Sequence, residues 1–155
     1  MNSEAVARAL TMIETSTDPE RLRSIGVNAR KLGEFDVARR ADLKLYQVLP
    51  KEAPGTLEYD VWKSIHALEG TLTQEREKTT RLSRTRQKIT AVGELETIKA
   101  LVMKPKPSEG FHMLIEREMS ELTFEAVVLR HPEQFDEIVL SAAKVRLIDA
   151  GILIV

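Results

Sequence analysis

Hydrophobic residues recur every three or four positions along most of the chain, which is the spacing of one face of an α-helix. The clearest helix is predicted between Thr56 and Thr73, and its apolar stripe consists of Leu57, Val61, Ile65, Leu68 and Leu72. A period of two, typical of half-buried strands, is almost absent. The pattern therefore predicts an all-α fold, a compact bundle of seven to eight short helices that begins with an N-terminal αα-hairpin.

Capping and breaking residues divide this pattern into two regions. Asp18 and Pro19 suit the start of a second helix, and Gly33 suits its end because glycine readily adopts the left-handed conformation. A third helix follows, and the sequence PKEAPG after it marks a linker. We therefore predict an N-terminal helical hairpin region over residues 1–50 and a C-terminal helical core over residues 56–155.

Residues 19–52 carry an ordered set of small and large side chains. The set consists of Leu22, Ile25 and Gly26 in the first helix, Gly33 in the turn, Ala38 in the second helix and Pro50 after it. In this order the residues resemble one tetratricopeptide repeat. Ala29 and Asp42 depart from the family's pattern, which has larger apolar or aromatic residues there. The resemblance implies a packed helical hairpin with a surface that binds peptides, and the chain shows no second copy of the pattern.

The C-terminal third of the sequence is strongly apolar and is expected to supply much of the core. Gly93 separates two predicted short helices, over residues 83–92 and 94–103, and further helices follow them. We expect the C-terminal helices to pack on the helix of residues 56–73, with Trp62 buried against them. The chain ends in ILIV, which we expect either to fold back on its own domain or to dock on a second subunit, because exposed apolar clusters tend to mark contacts.

Composition narrows the class of protein. Of 155 residues, 43% are hydrophobic and 30% are charged, and the net charge is −1. These values fit a folded domain and exclude the overall basicity of a nucleic-acid coat protein. Cysteine is absent, which excludes disulfides, thiolate zinc sites and cysteine nucleophiles. Neither a secretory signal nor an apolar run of membrane-spanning length is visible, so we expect a cytoplasmic protein with no membrane partner.

Side chains that carry catalysis or hold metals in other proteins are scattered along this sequence. His66, His112 and His131 do not pair at helical spacing, and Glu109 with His112 forms a single E-x-x-H motif in a predicted loop. Glycine-rich phosphate loops and nucleophile elbows are missing. We therefore predict that the protein is not an enzyme and has no catalytic residues, no metal site and no cofactor.

One segment, REKTTRLSRTRQKI, concentrates positive charge. Residues 76–88 hold six cations against one carboxylate, a local net charge of +5 in a chain whose total is −1. On a helical wheel at about 100° per residue, Leu82 and Ile89 lie on one side, and Arg84 and Lys88 lie on the other. Arginine, lysine, hydroxyl and amide groups are those that contact phosphates and base edges. The predicted nucleic-acid-binding residues are Lys78, Arg81, Ser83, Arg84, Arg86, Gln87 and Lys88.

The leading hypothesis is non-catalytic nucleic-acid binding, to DNA rather than RNA, through residues 76–88. The helices around Gly93 do not predict a standard helix-turn-helix, because Glu94 and Glu96 at the start of the second helix would repel phosphate. Two alternatives remain open. In the first, the positive charge of residues 76–88 is only solvated, and Glu94, Glu96 or the acidic N-terminal helices neutralise it. In the second, the protein is a protein–protein interaction adaptor that uses the N-terminal hairpin or the C-terminal apolar surface, as a homodimer or with another partner.

Overall fold

The computed structural model describes residues 2–152, and within them the fold is all-α, as predicted. Eight α-helices occur in the described part of the chain, together with two short 3₁₀ turns at Ser120–Leu122 and Pro132–Gln134. The helices are α1 (Ser3–Thr15), α2 (Pro19–Lys31), α3 (Phe35–Val48), α4 (Leu57–Arg76), α5 (Ser83–Val102), α6 (Glu109–Glu116), α7 (Phe124–Arg130) and α8 (Glu137–Asp149). No helix between residues 2 and 152 is both long and apolar enough to cross a membrane.

The chain divides into two compact units, Met1–Lys51 and Glu52–Val155. In the first unit, α2 and α3 form the most extensive helix pair, and α1 packs mainly on α3. The Asp18 side chain caps α2 by accepting a hydrogen bond from the Glu20 backbone N–H at 3.0 Å. Gly33 ends the turn of this hairpin with φ 75°, the left-handed conformation that favours glycine.

Asp42, one of the two residues that depart from the repeat pattern, holds α2 against α3. Its two carboxylate oxygens accept hydrogen bonds from Nη2 of Arg30 at 3.0 and 2.8 Å. A Cβ atom placed on Gly26 would lie 3.1 Å from Oδ1 of Asp42, so the glycine allows this close approach. A large apolar residue at position 42 would lose the ion pair that joins the two helices.

The second unit is built around α4, as predicted from its apolar stripe. Val61 and Ile65 on this helix are completely buried. The core cluster that contains them consists of Leu57, Val61, Ile65, Ile89, Ile98, Val102, Val127, Val128, Phe135, Val139 and Ala143. These residues come from α4, α5, α7, α8 and the segment before α8. Of the C-terminal helices, α6 and α7 pack on α4 as expected, whereas α8 packs mainly on α7 and α5.

The break predicted at Gly93 is confirmed. Helix α5 is kinked at Gly93, whose φ of 87° and ψ of 170° are not helical, and this residue separates two helical stretches. The Thr97 hydroxyl donates a hydrogen bond back to the Gly93 carbonyl at 2.8 Å, across the first turn of the second stretch. Only glycine adopts this backbone conformation without strain.

Trp62 is half-buried at the margin of the core, so the expectation of a fully buried residue against the C-terminal helices is corrected. Its indole Nε1–H donates a hydrogen bond to Oε2 of Glu94 on α5 at 3.0 Å. The indole nitrogen needs an acceptor, and this requirement favours a position at the edge of the core. At the end of α8 the Ile152 N–H donates to the Leu147 carbonyl at 2.9 Å. The predicted docking of the ILIV tail otherwise falls on residues 153–155, outside the described residues.

Candidate nucleic-acid interface

The loop between α4 and α5 is tied to α4 by hydrogen bonds. Helix α4 ends where Glu77 adopts the left-handed conformation with φ 56°. The Thr80 N–H then donates to the Thr73 hydroxyl at 3.0 Å, and the Leu82 N–H donates to Oε2 of Glu69 at 2.8 Å. These bonds set the position at which α5 begins, and with it the direction of the basic residues that follow.

Arg86 is held inward by α4. Its Nε and Nη2 atoms donate to the two carboxylate oxygens of Glu69 at 2.7 Å each, and its guanidinium lies 5.2 Å from the centre of the Trp62 ring. The side chains of Arg86 and Glu69 are 25% and 12% exposed. Arg86 therefore joins α5 to α4, and we no longer assign it to phosphate contact.

The electrostatics of this pair agree with its geometry. Burial by itself raises the pKa of Glu69, but hydrogen bonds from Arg86 and the Leu82 backbone, with the charges of Arg86 and His66, outweigh burial and hold the pKa below its usual value. The hydrogen bond and charge of Glu69 raise the pKa of Arg86 against the opposing effect of burial. Both groups are thus stabilised in their charged forms.

A second cation of the segment, Arg76, is also paired. Its Nη2 atom donates to Oε2 of Glu109 on α6 at 2.8 Å. The carboxylates that we expected to neutralise the segment have other partners: Glu94 accepts from Trp62, and Glu96 lies 3.6 Å from Lys99. Among the described residues, ion pairs therefore hold two of the six cations, Arg76 through Glu109 and Arg86 through Glu69.

The other four cations of the segment are exposed. They are Lys78, Arg81, Arg84 and Lys88, and none of them forms an ion pair with another residue in the described range 2–152. Ser83 and Gln87 are exposed beside them. We call the set Lys78, Arg81, Ser83, Arg84, Gln87 and Lys88 the basic face. Arg84 and Lys88 lie one turn apart on α5, a rise of about 6 Å along the helix axis.

Helix α5 also begins without a side-chain cap from any described residue, because Leu82 occupies the N-cap position. The backbone N–H groups of a first helical turn have no partner within the helix and carry partial positive charge. Here they lie beside Arg81 and Arg84. The start of α5 therefore adds backbone donors to the basic face.

A cavity of about 430 Å³ lies beside the basic face in the second unit. Arg81 and Arg84 line it, and so do Lys104 and Lys106 from the loop between α5 and α6. These four cations are exposed, so they lie at the mouth of the cavity, and we call them the basic mouth. Sequence reasoning missed Lys104 and Lys106, whose one local signal was the alternation KPKP in a predicted loop.

The remaining candidate groups from the sequence have separate partners in the structure. Glu109 of the E-x-x-H motif is bound to Arg76, and the exposed His112 ring packs edge-on against Phe111 with centroids 5.4 Å apart. His131 is buried, and its Nε2 lies 2.7 Å from Oδ2 of Asp60. Across residues 2–152 no group of three or more histidine, aspartate or glutamate residues is placed to hold a metal ion.

Comparison with protein-family models, with curated proteins and with solved structures finds no match to this chain. The candidate functional features among the described residues are the basic face, the cavity and the exposed apolar side chains.

Proposed function

We propose that the protein binds nucleic acid without catalysis, and DNA in preference to RNA, through the basic face. The observation that carries the proposal is the division of the basic segment. Arg76 and Arg86 are committed to carboxylates, whereas Lys78, Arg81, Arg84 and Lys88 are exposed and have no ion-pair partner among the described residues. Cations that are already solvated and unpaired can contact phosphates without first breaking an internal ion pair.

The basic face presents its cations from neighbouring turns of one helix. Arg84 and Lys88 are separated by about 6 Å along α5, so both can reach phosphates that border the same groove. Lys78 and Arg81 continue the charge into the loop. Ser83 and Gln87, also exposed, belong to residue types that contact phosphate oxygens and base edges.

The preference for DNA follows from the element that carries these side chains. Four of the six residues of the basic face lie on the first stretch of α5, before the break at Gly93. The major groove of B-DNA admits an α-helix, whereas the major groove of A-form RNA is too deep and narrow for side chains to read. Helix α5 is therefore the candidate reading element, with α4 supporting it through the Glu69–Arg86 pair.

Fluorescence anisotropy with labelled duplex DNA tests the proposal. The double variant Arg84→Ala, Lys88→Ala should weaken binding and reduce the dependence of log K on log salt by about two units, at about 0.9 per lost phosphate contact. The matched control is Arg8→Ala, Lys144→Ala, which removes one exposed arginine and one exposed lysine elsewhere. This control should keep the wild-type slope. Equal losses in both variants, or no binding of wild type at tens of micromolar protein and low salt, would refute the proposal.

A protein-interaction function is the second candidate, and exposed apolar side chains favour it. Ile138, Val145 and Ile148 on α8 are 68%, 55% and 54% exposed, and their spacing of seven and three residues puts them on one face. Leu32 and Phe35, at the turn between α2 and α3, are exposed at 57% and 68%. Exposed apolar groups at helical spacing are typical of interaction surfaces.

Light scattering and sedimentation distinguish this candidate. If α8 forms a homodimer contact, wild type should show a concentration-dependent mass that Val145→Asp with Ile148→Asp reduces to that of a monomer. A monomeric wild type at all concentrations would exclude self-association through α8. The candidate would then require another protein as the partner.

A further inference from the structure

The cavity beside the basic face has an apolar interior. Its volume of about 430 Å³ lies within the range of about 300–1,000 Å³ typical of small-molecule sites. The apolar side chains that line it are Leu68, Leu72, Leu82, Leu101, Phe111, Leu114 and Phe124. Leucines outnumber aromatic residues among them, so the interior suits a flexible aliphatic group better than a stacked flat ring.

The charges within the cavity cancel in pairs. Glu125 and Arg146 both line it, and Arg146 donates to Oε2 of Glu125 at 2.7 Å. Their side chains are 5% and 10% exposed, and Arg146 also donates to the backbone carbonyls of Leu101 and Lys104. Glu109, the other carboxylate of the lining, is bound to Arg76. Both carboxylates of the lining, the buried Glu125 and the exposed Glu109, therefore already have a cationic partner and do not require a cationic ligand.

The mouth of the cavity carries unbalanced positive charge. Arg81, Arg84, Lys104 and Lys106 are exposed, and none of the four has an ion-pair partner among residues 2–152. A ligand that fits both features has an apolar body for the interior and a negative group for the mouth. Burial of the body provides the affinity, at about 0.8 kcal/mol per buried CH₂, and the cations fix the orientation.

The hydroxyl groups that line the cavity favour an aliphatic chain over a nucleobase as the buried part of the ligand. Three of the four hydroxyls already take part in hydrogen bonds within the fold. Thr80 donates to the Lys78 carbonyl, Ser108 accepts from the Phe111 N–H, and Thr123 accepts from the Ala126 N–H. A base in this cavity would leave most of its edge groups without partners, which is costly in an apolar site.

We propose that this cavity binds one molecule of a free single-chain amphiphilic anion, a fatty-acid carboxylate, with the chain inside and the carboxylate at the basic mouth. The inference is independent of nucleic-acid binding, although the two sites share Arg81 and Arg84. Lys104 and Lys106 belong to the basic mouth alone.

Calorimetric titration of the full chain with decanoate tests the proposal. Decanoate should bind saturably at one site per chain, decanol should bind at least tenfold more weakly because it lacks the charge, and acetate should not bind. Lys104→Gln with Lys106→Gln should weaken decanoate binding by about fivefold to tenfold, as expected for two exposed charge contacts. The matched control Lys63→Gln with Lys144→Gln removes two lysines that do not line the cavity, and should leave the affinity unchanged. Duplex DNA binding, measured separately, tests the basic face whether or not decanoate binds the cavity.

Two further measurements locate the ligand. Leu101→Trp should abolish decanoate binding by filling the cavity, provided that circular dichroism shows wild-type helicity. NMR of labelled wild type should show decanoate-dependent shifts at Leu68, Leu101 and Phe124, and this measurement needs no variant. Shifts confined to α8 or to the first unit, or undiminished binding to a folded Leu101→Trp, would overturn the proposal. So would binding to anionic phospholipid vesicles without binding to free decanoate, which would indicate a membrane surface instead.

Discussion

Replacing Arg86 with alanine removes the side chain that joins α5 to α4. The Glu69 carboxylate would keep the Leu82 N–H as its hydrogen-bond partner but lose two bonds of 2.7 Å, and Trp62 would lose the guanidinium above its ring. Exposed pairs contribute about 0.2–1 kcal/mol, and breaking a fully buried pair costs about 3–5 kcal/mol. The 25% and 12% exposure of these side chains places the pair between those limits. We therefore expect Arg86→Ala to lower the free energy of unfolding of the second unit by about 2–3 kcal/mol, of which the cation–π contact supplies about 0.5–1 kcal/mol.

Urea denaturation followed by tryptophan fluorescence measures this loss. Trp62 is the chain's one tryptophan and lies in the second unit, so its emission follows the unfolding of that unit. The substitution also changes the surroundings of the Trp62 ring, and therefore its emission, so circular dichroism serves as an independent probe of unfolding. The pair Glu69→Ala with Arg86→Ala should cost less than the sum of the single variants, since both remove the same interaction.

Arg84→Ala is the matched control, two residues away on the same helix. Arg84 is exposed and has no ion pair among the described residues, so its loss should change stability by less than about 0.5 kcal/mol. For DNA binding, the variant with the larger effect should be the other one. Arg84→Ala should weaken binding, whereas Arg86→Ala should leave the DNA affinity of the folded protein nearly unchanged. A loss below about 0.5 kcal/mol for Arg86→Ala, or a larger loss of DNA affinity than for Arg84→Ala, would contradict the assignment of Arg86 as an internal residue.

Three further variants and conditions test the fold around the site. Gly110→Ala should lower the stability of the second unit by at most about 1 kcal/mol in urea titrations, because its Cβ would lie 2.5 Å from Cδ2 of Leu68, the end of a side chain that borders the cavity and can turn into it. Gly93→Ala should cost about 1–3 kcal/mol through backbone strain at φ 87°, with no contact to relieve or worsen it; an unchanged midpoint would mean that the break in α5 shifts elsewhere. Because the folded pKa of Glu69 is lowered, its contribution to stability is fully present above the unfolded value of about 4.3 and is lost as pH falls through the folded pKa. When the free energy of unfolding is measured at decreasing pH, it should therefore fall less for Glu69→Gln than for wild type. Equal decreases in the two proteins would contradict the charged pair.

The helices of this protein could be read from its sequence because each depends on nearby residues. The apolar stripe of α4, the Asp18 cap and the Gly33 and Gly93 breaks all act within a few positions of the chain. The division of the basic segment could not be read in the same way. Arg86 finds its carboxylate 17 residues earlier, and Arg76 finds its carboxylate 33 residues later.

Charge counting therefore indicated where the cations lie but not which of them are available. The sequence offered Glu94 and Glu96 as neutralising groups because they are near in the chain, yet Glu94 accepts a hydrogen bond from Trp62, 32 residues away. Lys104 and Lys106 join the site through the cavity, which exists only after α4, α5 and α6 have packed. Tertiary packing thus decides which side chains form the candidate site, after local sequence has decided the helices that carry them.

The two proposals make a joint prediction because they share cations. A carboxylate at the basic mouth would occupy Arg81 and Arg84, which also belong to the basic face. Decanoate should then raise the apparent dissociation constant of duplex DNA by the factor 1 + [decanoate]/Kd, as for two ligands that exclude each other. Equimolar acetate controls for ionic strength, which by itself weakens DNA binding. If both ligands bind wild type and the DNA affinity is the same in decanoate and in acetate, the two sites do not share Arg81 and Arg84, and one of them lies elsewhere on the protein.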